Sequence, residues 1–94
     1  MNINNAFGSA LKQLRQHQEM SQEDFSIVSS RTYISSLERG LKSPTLEKVE
    51  MISSCLEVHP LTLLALAYSK SSEELSCEDL INKVAVELIE LEAY

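Results

Sequence analysis

The residues from Ser29 to Gly40 read SSRTYISSLERG and concentrate side chains that make directional polar contacts. Arg31 and Arg39 each carry a planar fork of N–H donors, and Thr32, Ser35 and Ser36 add hydroxyls that donate or accept at short range. Ile34 and Leu37 are spaced three apart, and Gly40 is one of only two glycines in the chain. This is the chemistry of recognition. The chain holds no clustered His, Cys or carboxylate site and no phosphate-cradling glycine loop, and 94 residues leave little room for a deep pocket, so neither an enzyme nor a cofactor is expected.

The remaining reactive side chains point the same way. Cys55 and His59 are four apart, a metal-ligand spacing on a helix, but Pro60 follows and no second close pair exists, so no metal site is expected. Cys55 and Cys77 form no CxxC and no regular framework, and are read as small buried apolar residues in a reducing compartment. No basic, apolar and small-residue succession opens the chain, and PLTLLALAY is too short to span a bilayer, so the protein is expected in the cytoplasm without a membrane partner. The net charge of −6 is unevenly spread. Up to Tyr68, six basic residues face seven acidic ones, and from Ser69 two face seven, so a local basic surface on the first part survives the acidic total.

The elements that must position these groups are helical. With two prolines, two glycines and 44% hydrophobic residues, the composition predicts an all-α protein with one modest core. Phe7, Ala10, Leu11 and Leu14 predict a first amphipathic helix from Asn5 to about Gln18, and Gly8 within it implies a close backbone approach. Ser21 and Asp24 cap a second short helix carrying Phe25 and Val28. Ser29 and Ser30 cap a third, from Arg31 to Arg39, which is buried through Ile34 and Leu37 and ended by Gly40 in a left-handed conformation. Thr45 caps a fourth with Leu46, Val49, Ile52 and Leu56 inward, and His59 with Pro60 starts a fifth running to about Tyr68.

Two short helices with a tight connection, the second fixed by Ile34 and Leu37 while presenting polar groups, make a helix-turn-helix. The major groove of B-DNA admits a helix and offers base-edge donors and acceptors to Arg31, Thr32, Ser35 and Ser36, while Arg39 and Lys42 lie where phosphates can be met. The pieces FGSALKQLRQ, SQEDF, RTYISSLERG and SPTLEKVEMI, in that order, resemble the Cro/repressor (Xre-type) helix-turn-helix family of bacterial and phage transcription regulators. The resemblance covers about Phe7 to Leu64 and implies a five-helix DNA-binding domain over residues 1–68. It also implies that Gln22 touches the DNA backbone while bracing the recognition helix, and that Arg15 and Glu38 form a structural pair between the first and third helices. Ser30, Tyr33 and Ser43 complete the expected DNA-binding set, Tyr33 either stacking on the backbone or packing at the helix edge. The connection SIVSSRTY is about two residues shorter than in family members and lacks their glycine, so the turn is expected to rely on the Ser29 and Ser30 hydroxyls.

Residues 69–76, SKSSEELS, read as a linker, and 77–94 as a C-terminal amphipathic helix capped by Ser76 with Asp79. Ile81, Val84, Leu88 and Leu91, with Leu80, form its apolar stripe, which is expected to pair with a second copy of the chain, though it could also fold back on its own domain. The leading expectation is therefore a homodimeric repressor on a palindromic operator in double-stranded DNA. Two others stand beside it: the antitoxin of a toxin–antitoxin pair, binding a protein through the acidic helix, and a helical interaction module without DNA binding.

Overall fold

The computed structural model describes residues 1–92, so Ala93 and Tyr94 at the end of the expected last helix lie outside the described residues. All regular elements among the described residues are helical. The Asn2 side chain accepts the Asn5 N–H at 2.8 Å and starts α1, Ile3–His17, two residues before the position expected from the sequence. A single 3-10 turn, Gln22–Phe25, follows, then α2 (Arg31–Glu38), α3 (Leu46–Cys55), α4 (Pro60–Ser71) and α5 (Cys77–Glu92).

The second element is shorter than the helix expected to carry Phe25 and Val28. The Ser21 N–H donates to the Asp24 carboxylate at 2.7 Å, one 3-10 turn forms, and the chain then turns back through Val28 and Ser29 N–H bonds to the Phe25 carbonyl. Residues 26–29, SIVS, are β-branched or hydroxyl-bearing and support a helix poorly. Phe25 is nonetheless fully buried.

The core joins Phe7, Ala10 and Leu11 of α1 to Phe25, Val28, Ile34, Leu37, Val49, Ile52, Leu56, Leu63 and Ala67. Each large side chain removed from water contributes roughly 1.5–3 kcal/mol. Leu46, expected inward, is 83% exposed. At 100° per residue it lies about 90° round the helix from the centre of the Val49, Ile52 and Leu56 stripe, and so faces solvent.

Two glycines fix the placement of α2. A Cβ on Gly8 would collide with the carbonyl oxygens of Leu37 and Glu38, so the last turn of α2 rests directly on the backbone of α1. Gly40, at φ +74°, ends α2 in the left-handed conformation, donating its N–H to Leu37 O while Leu41 donates to Ser36 O. Glu19 and Glu57 end α1 and α3 in the same conformation without being glycine, each at a cost of about 1–2 kcal/mol.

The last two helices form a hairpin. His59 Nδ1 accepts the Leu61 N–H at 3.0 Å, Pro60 occupies the first turn, and α4 continues three residues past the expected end at Tyr68, which shortens the connection to Ser72–Ser76. The Ser76 hydroxyl accepts the Asp79 N–H at 3.1 Å and caps α5 as the sequence implies. No single helix among the described residues is long and apolar enough to cross a membrane.

Gly8→Ala sets two effects of opposite sign against each other. Alanine favours the helix by about 1 kcal/mol, but the new methyl meets two backbone carbonyls that yield only if α2 moves. The expected outcome is a lower thermal midpoint, measured by circular dichroism without any ligand; an unchanged or higher midpoint would show that α2 can back away at no cost.

Candidate nucleic-acid interface

An eight-residue helix cannot hold its own orientation in water, and α2 is held by a buried ion pair. Arg15, on α1, donates from Nε to Glu38 Oε2 at 2.7 Å and from Nη2 to Glu38 Oε1 at 2.9 Å, a two-bond fork closing the end of α2. The Arg15 Nη1 donates to the Met20 carbonyl at 2.8 Å, and Gln22 Nε2 donates to Glu38 Oε1 at 3.1 Å. The two charged side chains are only 12% and 4% exposed. The hydrogen bonds it donates to Glu38 raise the Arg15 pKa above its ordinary value, burial opposing them. A raised arginine pKa keeps its contribution at every pH below the unfolded value, so Arg15 stays charged through the working range. The pair expected from the resemblance is present, and Gln22 braces it.

The outward face of α2 carries the donors. Gln22, Arg31, Thr32, Ser35 and Arg39 line one shallow polar concavity at the surface, Arg31, Thr32 and Arg39 being exposed and Ser35 half-buried. Lys42 and Ser43 follow Gly40 and are exposed. Ser30 is exposed too, but its hydroxyl oxygen accepts the Tyr33 N–H at 3.1 Å, so it acts as the cap of α2. Ser36 departs from the expected set: it is 7% exposed, on the buried side beside Leu37, and its hydroxyl donates to the Thr32 carbonyl at 2.9 Å. One residue round from Ser35 is 100° on a helix, enough to turn an outward hydroxyl into a core one.

Tyr33 packs at the edge of the core with its ring between two ammonium groups, Lys42 Nζ and Lys48 Nζ, each 5.6 Å from the ring centroid. Two other contacts had no place in the sequence reading. Glu23 accepts from Arg31 Nη1 at 3.4 Å on the surface, and Lys48 Nζ donates to the Val28 carbonyl at 2.8 Å. The signal for Lys48 was available in its position, a cation in the first turn of a helix, where a carboxylate is the favourable residue.

The cysteines are less buried than expected. Cys55 is half-buried, its thiol pKa pushed up by burial and by the nearby Asp24 charge, and Cys77 is exposed, 3.0 Å from the Ser69 hydroxyl. No group of three metal-ligating side chains occurs among the described residues.

A turn and a short helix pinned across α1, the helix offering its donors to solvent, define a helix-turn-helix protein. Residues 11–63 match the helix-turn-helix family model. The chain is 42% identical over 66 residues, 67% of its length and 82% of the relative's, to control protein C.BamHI of Bacillus amyloliquefaciens. Among solved structures, the restriction-modification controller protein C.AhdI from Aeromonas hydrophila aligns with a TM-score of 0.60 and 28% identity over 63% of this chain and 92% of that one. The controller protein C.Esp1396I, solved as a tetramer in complex with its natural 35 base-pair operator, aligns with a TM-score of 0.67 and 26% identity over 76% of this chain and 96% of that one. The chain belongs to the Xre-type helix-turn-helix family of DNA-binding transcription regulators.

Breaking the buried pair tests its role. Glu38→Ala leaves Arg15 charged, poorly solvated and without its main acceptor, and is expected to lower stability by about 3–5 kcal/mol. Urea melts without DNA measure this. An unchanged midpoint accompanied by lost DNA binding would move Glu38 from the scaffold to the interface.

Proposed function

We propose that the protein is a sequence-specific repressor that binds a palindromic operator as a homodimer in the cytoplasm, and that the locus it controls is of the restriction–modification type. The observation that carries this is the polar concavity of Gln22, Arg31, Thr32, Ser35 and Arg39 on a helix locked to its scaffold by Arg15 and Glu38. The description of C.BamHI as a control protein, and of C.Esp1396I on its operator, supports the assignment.

Arg31 stands at the leading end of α2, where a guanidinium can donate two bonds to guanine O6 and N7. Thr32 and Ser35 supply the neighbouring hydroxyls. Gln22, at the start of the 3-10 turn, reaches the backbone from the scaffold side, and Arg39, Lys42 and Ser43 meet phosphates beyond the helix end. Tyr33 places its ring along that path. Phosphate contacts set the register, and the contacts of Arg31, Thr32 and Ser35 set the sequence.

Pairing is assigned to α5. None of its residues is fully buried, and Leu80, Ile81 and Val84 lie back against α4 only partly, forming with Leu61, Leu64, Ala65 and Tyr68 an apolar groove of ≈ 360 Å³. Leu88 and Leu91 continue the stripe at 53% and 71% exposure. A two-fold related copy offers the same stripe and can cover this surface, while Glu90 stays outward and Glu87 flanks the stripe. Two recognition helices then reach major grooves about 34 Å apart.

Retention of a duplex from upstream of its own gene, in moderate salt, tests the proposal at its root; a chain that retains no DNA is an interaction module. On a retained site, Arg31→Ala is expected to cost about 1–3 kcal/mol and to flatten preference at one base pair. Lys42→Ala weakens cognate and random duplexes alike and reduces the salt slope by about 1. Equal losses on both duplexes for Arg31→Ala would remove it from base reading.

The double variant Ile81→Asp with Leu88→Asp addresses pairing. It is expected to sediment as a monomer with α1 to α4 intact and to bind a palindromic duplex no better than a single half-site. A dimer surviving these changes would place the interface elsewhere.

A further inference from the structure

Lys48 stands where helix electrostatics give no reason for a cation. It is the third residue of α3, its N–H donating to the Thr45 hydroxyl at 3.1 Å, at the end of the helix that favours negative charge. Its side chain is half-buried. The ammonium donates to the Val28 carbonyl at 2.8 Å and lies 5.6 Å from the centroid of the Tyr33 ring. One side chain from α3 thus grips both sides of the Ser30 cap: Val28 two residues before it, and Tyr33 in the first turn of α2.

The connection gripped in this way is anchored in the core through Val28, which leaves the course of its backbone to polar contacts. The Ser26 N–H donates to the Glu23 carbonyl and those of Val28 and Ser29 to the Phe25 carbonyl, all closing on the 3-10 turn rather than tying the chain to α2. The connection contains no glycine, and Ile27 at its tip is 94% exposed. A carbonyl turned from helical bonding needs a donor, and a charged donor makes the stronger bond. Lys48 also differs from Lys42, which approaches the same ring from an exposed position. With one bond committed to Val28 and its stem half-buried, Lys48 is built to hold the turn.

We propose that Lys48 is a positioning residue for DNA recognition: by holding the Val28 carbonyl and the Tyr33 ring from α3, it sets the direction in which the leading end of α2 meets the groove. The binding part of this proposal rests on the DNA-binding function assigned above, and its structural part rests on the turn alone. Lys48 takes the place of loop length and glycine in determining how α2 begins.

The test uses two full-length variants. Lys48→Met keeps the apolar stem and removes the charge and donor, and Lys48→Arg keeps both. Amide exchange without DNA is read first: Lys48→Met is expected to speed exchange roughly tenfold or more at Tyr33 and at the Val28 and Ser29 amides, with the rest of α1 and α3 unchanged and Lys48→Arg close to the parent. Unchanged exchange at these amides overturns the proposal whether or not any DNA is bound. Binding is then measured on a duplex selected by the parent protein from a randomised pool and on a random duplex of equal length. The expected result for Lys48→Met is a roughly tenfold loss on the selected duplex, little change on the random one, an unaltered salt slope and recovery in Lys48→Arg. Equal losses on both duplexes with a shallower slope would make Lys48 a phosphate contact and overturn the proposal. A parent protein that selects no duplex overturns the DNA-binding function and the positioning role together, while the exchange result still reports whether Lys48 holds the turn.

Discussion

The fold hangs on the contact between Arg15 and Glu38. A helix as short as α2 gains too little from its own hydrogen bonds to persist alone, so its existence and its direction come from what it touches. Ile34 and Leu37 supply the burial, a non-directional force that leaves the exact rotation and sliding of the helix to directional contacts. The two-bond fork removes those freedoms, because a planar guanidinium satisfies both carboxylate oxygens at one mutual orientation. The third arm of Arg15 on the Met20 carbonyl and the Gln22 amide on Glu38 extend the hold to the 3-10 turn. Four parts of the chain, α1, the loop after it, the 3-10 turn and α2, therefore share one electrostatic knot, set beside the close contact at Gly8.

On the other side of α2 the solution differs. The connection that precedes the helix is short, without glycine, and made of residues that support helix poorly, so its single 3-10 turn leaves a carbonyl directed away from any helical partner. The structure meets this with a side chain from α3. The helix α2 is thus tied at its end to α1 by an ion pair and before its start to α3 by an ammonium, while its outward face remains open.

Much of this was legible because it is local. Gly40, the Ser30, Thr45 and Ser76 caps and the His59–Pro60 start follow from backbone groups that must find partners within a turn of the helix end. The apolar spacing of Ile34 and Leu37, and of Val49, Ile52 and Leu56, identified the core faces. What failed depended on angle or on distant partners. Leu46 sits at a helix start where one residue decides whether a side chain reaches the core, and Ser36 shares its stretch with true surface hydroxyls but is rotated inward. The second helix shrank to a 3-10 turn because its final residues are needed to reverse the chain, and Cys77 lies on the open side of a hairpin that periodicity could not place. The reach of Lys48 across 20 residues has no local signature beyond its unfavourable position in the helix.

The open stripe on α5 also bears on how such a regulator responds to its own abundance. In the proposed dimer, the surface that makes two chains one binding unit is left half-uncovered by the chain itself, so pairing and occupancy are linked by mass action. Below the dimer dissociation constant, the amount of paired protein falls as the square of the total, and a twofold dilution removes about three quarters of it. If the chain pairs in this way, a newly made regulator would be silent at first and then engage over a narrow range of copy number. The delay would then be set by the apolar area on one helix, independently of the polar face of α2.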